Sequence, residues 1–273
     1  MESATTVQAK LFPRFMIAVK AMGLCCETPD QPVARSEVYN ETWMLRLTLA
    51  AIHDYDGNFE CPEEVKKVAL EATRDAVRRR WISEGGLEPA FKHEGTTWTD
   101  AILGSVKIKD DNKRGIEVDG DDPGITIVEA KIGSELSPGV TNSPNYNQAA
   151  RNIACLAQLI LKHQSLHDKC RFLVFAPEKG HVGSGFVNKE NVDEIIGAQH
   201  NASLKDYREF FSKDVSNNSE QFDGIVRFIR EKSCVIFWDE VIKAMKSWEN
   251  IAELRAFYIE CLKENKLEQG NLG

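Results

Sequence analysis

The chain contains no apolar stretch approaching the ~20 residues that a membrane-spanning helix requires, so a transmembrane protein is not expected. It lacks a Pro/Gly/Ser-rich linker and any internal repeat, and its 273 residues, 42% of them hydrophobic, therefore read as one large domain. The core is expected over about residues 36–240, with a helical C-terminal extension over about 240–273. Cys-x-x-Cys is absent, and the seven cysteines are odd in number and scattered apart from the adjacent Cys25 and Cys26. That pattern suggests neither a disulfide framework nor a zinc ribbon and leaves reduced core thiols. The opening MESATTVQAK has no basic segment followed by an apolar core, so no secretory signal is expected and the cytoplasm is the expected location. Excess positive charge is lacking as well. A net charge of −8 argues against general coating of nucleic acid and confines any phosphate contact to a local patch.

One such patch is visible. Residues from Pro62 to Ser83 have helical periodicity through Val65, Val68, Ala69, Ala72, Ala76 and Val77, with Lys66, Lys67, Arg74, Arg78, Arg79 and Arg80 mostly off that face. Two readings compete: a phosphate-binding surface, or a solvated helix whose basic C-terminal end complements its dipole. Upstream, Ser36 is a candidate N-cap for a helix running to about Tyr55, with Glu41, Leu45, Leu49 and Ile52 along one face. After Gly85 and Gly86 the pattern turns to strands: Trp98 to Ile108, a short one from Gly115 to Val118, and Ile125 to Ile132. A loop rich in Pro, Gly, Asn and Ser then leads to a helix from Asn145 to Lys162. The apolar run CRFLVFAP reads as a central strand, and Val235 to Trp238 as another, with Asp239 capping the helix that follows. This order predicts an α/β fold, a mixed β-sheet flanked by helices in αβββαβ order with additional helices.

The third strand poses a question. Side chains alternate along a strand, so Ile125, Ile127, Glu129 and Lys131 share one face while Thr126, Val128, Ala130 and Ile132 share the other. An acid and an amine thus end an apolar row. Their desolvation is costly unless they have partners: each other, a metal or a ligand.

Glu129-Ala130-Lys131 closing a strand, an Asp on the preceding strand, a Glu on the helix before and a Gln early in the helix after resemble the PD-(D/E)xK nuclease superfamily. The resemblance covers about residues 36–177, extending toward Trp238, and includes uncharacterised bacterial-type members with a similar EAK and QAAR run. EAK alone is weak; EAK closing an apolar strand ahead of YNQAARN is considerably stronger. The resemblance implies a restriction-endonuclease-like core and a Mg²⁺ or Mn²⁺ ion held by Glu129, a strand Asp and the carbonyl of Ala130. No proline precedes the aspartate, and the connection to the EAK strand is long, both departures from the superfamily pattern.

The chemistry asks for the same parts. Phosphodiester hydrolysis needs an oxyanionic nucleophile near neutral pH and stabilisation of charge on the scissile phosphate, which a carboxylate-held Mg²⁺ can supply. Lys131 would orient the attacking water and offset charge. For the strand Asp, Asp100 and Asp119 compete; pairing Val106 with Ile125 sets Asp100 opposite Lys131, which favours Asp100. Gln148 opens its helix where the dipole favours an anion, with Arg151 and Asn152 three and four residues on. Glu41 lies on the apolar face of its helix, and Glu37 is the competing choice.

Weaker signals complete the chain. His163, His167 and Cys170 have a spacing compatible with zinc but no fourth ligand. EKGHVGSG lacks the GK[ST] ending of a phosphate-binding loop. Phe186 to Gly273 reads as helical support, with room for target selection or homodimerisation. The expected activity is a Mg²⁺-dependent nuclease, foremost a DNA endonuclease, with catalytic residues Asp100, Glu129, Lys131, Gln148 and Glu41. Its rivals are a silent nucleic-acid-binding or protein-interaction module of the same fold and an RNA-directed nuclease.

Overall fold

A computed structural model of the protein describes residues 10–25, 34–88, 96–109, 115–120, 124–132, 148–163, 169–178 and 219–267. Before the sheet come helices α1 (Phe12–Cys25), α2 (Arg35–Val38), α3 (Glu41–Asp54) and α4 (Glu64–Arg79). Strands β1 (Trp81–Leu87), β2 (Thr97–Gly104), β3 (Val106–Ile108), β4 (Ile116–Val118) and β5 (Ile125–Ala130) follow. Then come α5 (Gln148–Lys162), β6 (Cys170–Ala176), α6 (Ser219–Lys232), β7 (Cys234–Phe237), α7 (Trp238–Ala244) and α8 (Ile251–Glu264). Five strands form one sheet in the order β1-β2-β5-β6-β7, antiparallel from β1 to β5 and parallel from β5 to β7; β3 and β4 make a separate two-stranded ribbon. The chain is thus mixed α/β, with a five-stranded mixed sheet between helical layers.

The central strand explains the layers. All six residues of β5 are buried, and its two faces feed two apolar clusters. Val128 and Ala130 join a cluster with α1, α3, α4, α7 and α8; Ile125 and Ile127 join one with α5 and α6. No helix among the described residues is long and apolar enough to cross a membrane. Cys155, Cys170, Cys234 and Cys261 are buried free thiols.

Several sequence expectations are corrected. The N-cap of the third helix is Asn40, whose side chain accepts from Trp43 N at 3.0 Å, because Ser36 falls inside the separate short helix α2. The basic helix stops at Arg79, and Trp81 to Leu87 is a strand whose two glycines concealed it. At Gly85 a Cβ would lie 2.5 Å from Ile102 Cδ1, so any side chain there would displace the end of Ile102. The expected strand from Trp98 to Ile108 breaks at Gly104, which has φ +110° and meets the Gly124 carbonyl too closely to carry a side chain. Helix α1 had no counterpart in the sequence reading, and Asp239 lies in the first turn of α7 after the N-cap Phe237.

The arginines of α4 also divide by role. Arg78 donates to His53 O (2.9 Å), Tyr55 O (3.3 Å) and Asp56 Oδ1 (2.6 Å), while Arg74 donates to Gly57 O (2.7 Å). Together they satisfy carbonyls left open where α3 ends. Arg80 donates to Val106 O (2.9 Å) and pairs with Asp119 (3.6 Å). The three consecutive arginines therefore do not form one phosphate surface. Replacing Arg78 with Ala is expected to cost about 1–3 kcal/mol of stability through lost charge-assisted hydrogen bonds. Denaturant unfolding measures it, and an unchanged midpoint would contradict the assignment.

Candidate functional site

The end of β5 gathers the charged residues. Ala101 pairs with Val128 across β2 and β5, and one further step of that register sets Asp100 opposite Glu129. The sequence-based pairing is therefore displaced by two residues, a slip that keeps every side chain on its expected face. Asp100 Oδ2 accepts from Ala130 N at 2.7 Å, fixing the carboxyl against the strand. Glu84 lies opposite Asp100 on β1 by the same logic and adopts φ 53°, a left-handed conformation uncommon outside glycine.

Glu129 is wholly buried yet fully addressed. Its Oε2 accepts from Gln148 Nε2 at 2.7 Å, its Oε1 from Asn152 Nδ2 at 2.7 Å, and Lys131 Nζ lies 3.6 Å from Oε2. Gln148 and Asn152 are one helical turn apart in α5, so both amides reach one carboxyl. Burial, then the charge of Asp100, pushes the Glu129 carboxyl up to about 8 despite the opposing pull of Lys131. Lys131, the two amides and Asp100 together make a polar cluster around this acid rather than an isolated ion pair.

The other expected residues separate clearly. Glu41 Oε2 accepts from Ile132 N at 3.1 Å, so it secures the backbone just past β5, while Glu37 is exposed in α2. Asp119 is exposed beside β4 and held by Arg80, away from Glu129. Asp119→Ala is accordingly expected to retain any activity within a few-fold; a loss as deep as that of an Asp100 variant would contradict this placement. Asn152 acquires a specific role that sequence spacing only hinted at through its i+4 relation to Gln148. Its Oδ1 and the Nε of Arg151 are buried without a partner.

Metal chemistry has a bounded fit. Among the described residues no group of three or more His, Cys, Asp or Glu converges. Glu129 and Asp100 nevertheless offer two hard carboxylates, and Mg²⁺ uses one or two carboxylates with waters rather than a full protein cage. The donor type fits Mg²⁺ or Mn²⁺, with the Ala130 carbonyl as the further ligand that the sequence resemblance implies. The weaker zinc candidate lies partly outside the described residues. Cys170 is buried, which pushes its thiol up to about 12, and His163 is exposed; His167 lies outside the described residues, as does EKGHVGSG beyond Glu178. No family model, curated protein or solved structure matches the chain.

Proposed function

We propose that the protein is a metal-dependent phosphodiester hydrolase, a nuclease acting foremost on DNA as an endonuclease, built on a restriction-endonuclease-like core. One observation carries the reading. A fully buried glutamate, held at both oxygens by amides, faces a second carboxyl across the strand pair, with Lys131 Nζ 3.6 Å away. A divalent cation would offset the repulsion between the two carboxylates. When bound, Mg²⁺ would supply charge stabilisation on the scissile phosphate and a lowered pKa for water. Glu129 and Asp100 would hold it, with the carbonyl of Ala130.

The chain's own groups divide the remaining work. Gln148 and Asn152 fix both oxygens of Glu129, so no carboxyl rotation is required on binding. Lys131, 6% exposed, is near enough to the same carboxyl to orient a water and face a phosphate oxygen. Asp100 is tethered by Ala130 N and Glu41 by Ile132 N, which pins the backbone between the donors. Such fixed dipoles and charges lower barriers because they need no reorganisation during reaction.

The rival reading is a silent binding module. The amides and Lys131 that already hold Glu129 are what such a module would keep as structural contacts. Incubation with linear, circular and single-stranded DNA and with RNA, in Mg²⁺ or Mn²⁺ and in chelator, separates the two. Cation-dependent cleavage of any substrate supports the hydrolase and identifies its nucleic acid. Binding without cleavage under every condition supports the module.

A further inference from the structure

A second polar recess lies on the opposite face of β5, beside Thr126 rather than Glu129. Its floor is made by small residues. Ala72 and Ala76 occupy successive turns of α4, and Gly124 precedes β5, so an open pocket of about 150 Å³ remains between helix and sheet. A Cβ on Gly124 would stand 3.7 Å from Arg79 Nη1 and 3.5 Å from Lys169 Cβ, which places the Arg79 guanidinium and the base of the Lys169 side chain at that glycine. Arg171 enters from β6, where its register partner on β5 is Thr126. Among the described residues, three cations, Arg79, Lys169 and Arg171, therefore line this pocket with the carboxylate Asp75, in a chain whose net charge is −8.

From this geometry we infer that the recess is a phosphate-binding site, taking a phosphate group of a small compound or of a nucleic-acid backbone. Arg171 gives the strongest indication. The contact from its Nη1 to Val68 O is long at 3.4 Å and exposed, which leaves the end of the guanidinium open to a further acceptor. Burial also lowers the pKa of this guanidinium. A planar guanidinium presents paired donors suited to phosphate oxygens, and an anion satisfies both donor and charge. The volume suits a phosphate with a few waters and is below the ~300 Å³ of typical small-molecule pockets. The site does not rest on the hydrolase reading, because it uses none of the residues around Glu129.

Inorganic phosphate is the first probe. Thermal unfolding of the full chain is followed in phosphate and in chloride at equal ionic strength, for wild type, Ala72→Leu and Arg79→Gln/Lys169→Gln. Ala72 is half-buried on α4, so leucine fills the recess while keeping a good helix former; Arg79 and Lys169 are exposed, so glutamine spares the core. The expected result is a phosphate-specific rise in Tm for wild type that both variants lose, since only the folded state binds. No rise beyond chloride, or a rise retained in both variants, would overturn the site. A second arm identifies the source among positive results. If Arg79→Gln/Lys169→Gln lowers the salt slope of duplex DNA binding by about two, the phosphate belongs to nucleic acid. An unchanged slope assigns the site to a small phosphate compound.

Discussion

Asp100→Ala and Lys131→Ala are each expected to lower nuclease turnover by orders of magnitude while leaving DNA affinity nearly intact. A group that holds the cation or faces the reacting phosphate acts chiefly in the transition state, so its loss appears in turnover rather than in binding. Structural damage is a separate risk for Asp100. Its Oδ2 accepts from Ala130 N, and removing that acceptor strands a buried donor at a cost of about 1–3 kcal/mol. Asp100→Asn keeps an oxygen for Ala130 and removes the charge, so it should fold normally and remain inactive. Lys131→Ala should retain cation binding, because the amine is not a ligand. Steady-state cleavage with parallel binding measurements tests all three, and wild-type turnover in either Asp100→Asn or Lys131→Ala would remove that residue from the mechanism.

The second large effect is on stability. In the cation-free protein the Glu129 carboxyl titrates near 8 rather than at its ordinary 4.5, so the folded state retains a proton that the unfolded chain releases. The sign follows directly: this group's contribution is most favourable below about pH 4.5 and is lost progressively as pH rises toward about 8. Within that window one titrating group changes stability by about 1.4 kcal/mol per pH unit. Glu88 and Glu260 act in the other direction and elsewhere. Lys109 and Lys162 hold the first below its usual range, and Lys263 and Arg35 the second, so their stabilisation is lost only in acid. Urea unfolding from pH 5 to 8.5 in chelator should therefore show wild type losing stability relative to Glu129→Gln. Mg²⁺ should restore it in wild type alone. Parallel curves for the two proteins would mean that the carboxyl is neutralised by other means.

Sequence periodicity made the central strand legible, because six buried residues in a row leave little choice of partner surface. The faces of β5 were readable for the same reason, and so was the preference for Asp100. The pairing register was displaced by two, since neither turn chemistry nor loop length fixed it, yet an even slip preserves parity and keeps Asp100 beside Glu129. Strand β1 was hidden by Gly85 and Gly86, which weaken strand propensity, although Ile102 lies close over Gly85 in the folded chain. The arginines of α4 looked interchangeable in sequence. Only tertiary placement gives Arg78 to the end of α3, Arg80 to Asp119 and Arg79 to the recess beside Gly124. Asn152 was visible as a neighbour of Gln148, but its hold on Glu129 depends on how α5 crosses the end of β5.

Cleavage of supercoiled plasmid by wild type and Glu129→Gln, purified identically and assayed with Mn²⁺, Mg²⁺ or chelator, tests the proposed activity most directly. Glutamine retains the shape of the side chain at 129 and removes the carboxylate on which the cation would sit. The expected result is nicking or linearisation by wild type with either cation, none in chelator and none by the variant under any condition. Equal cleavage by both proteins, or none by wild type with either cation, would contradict a nuclease centred on Glu129.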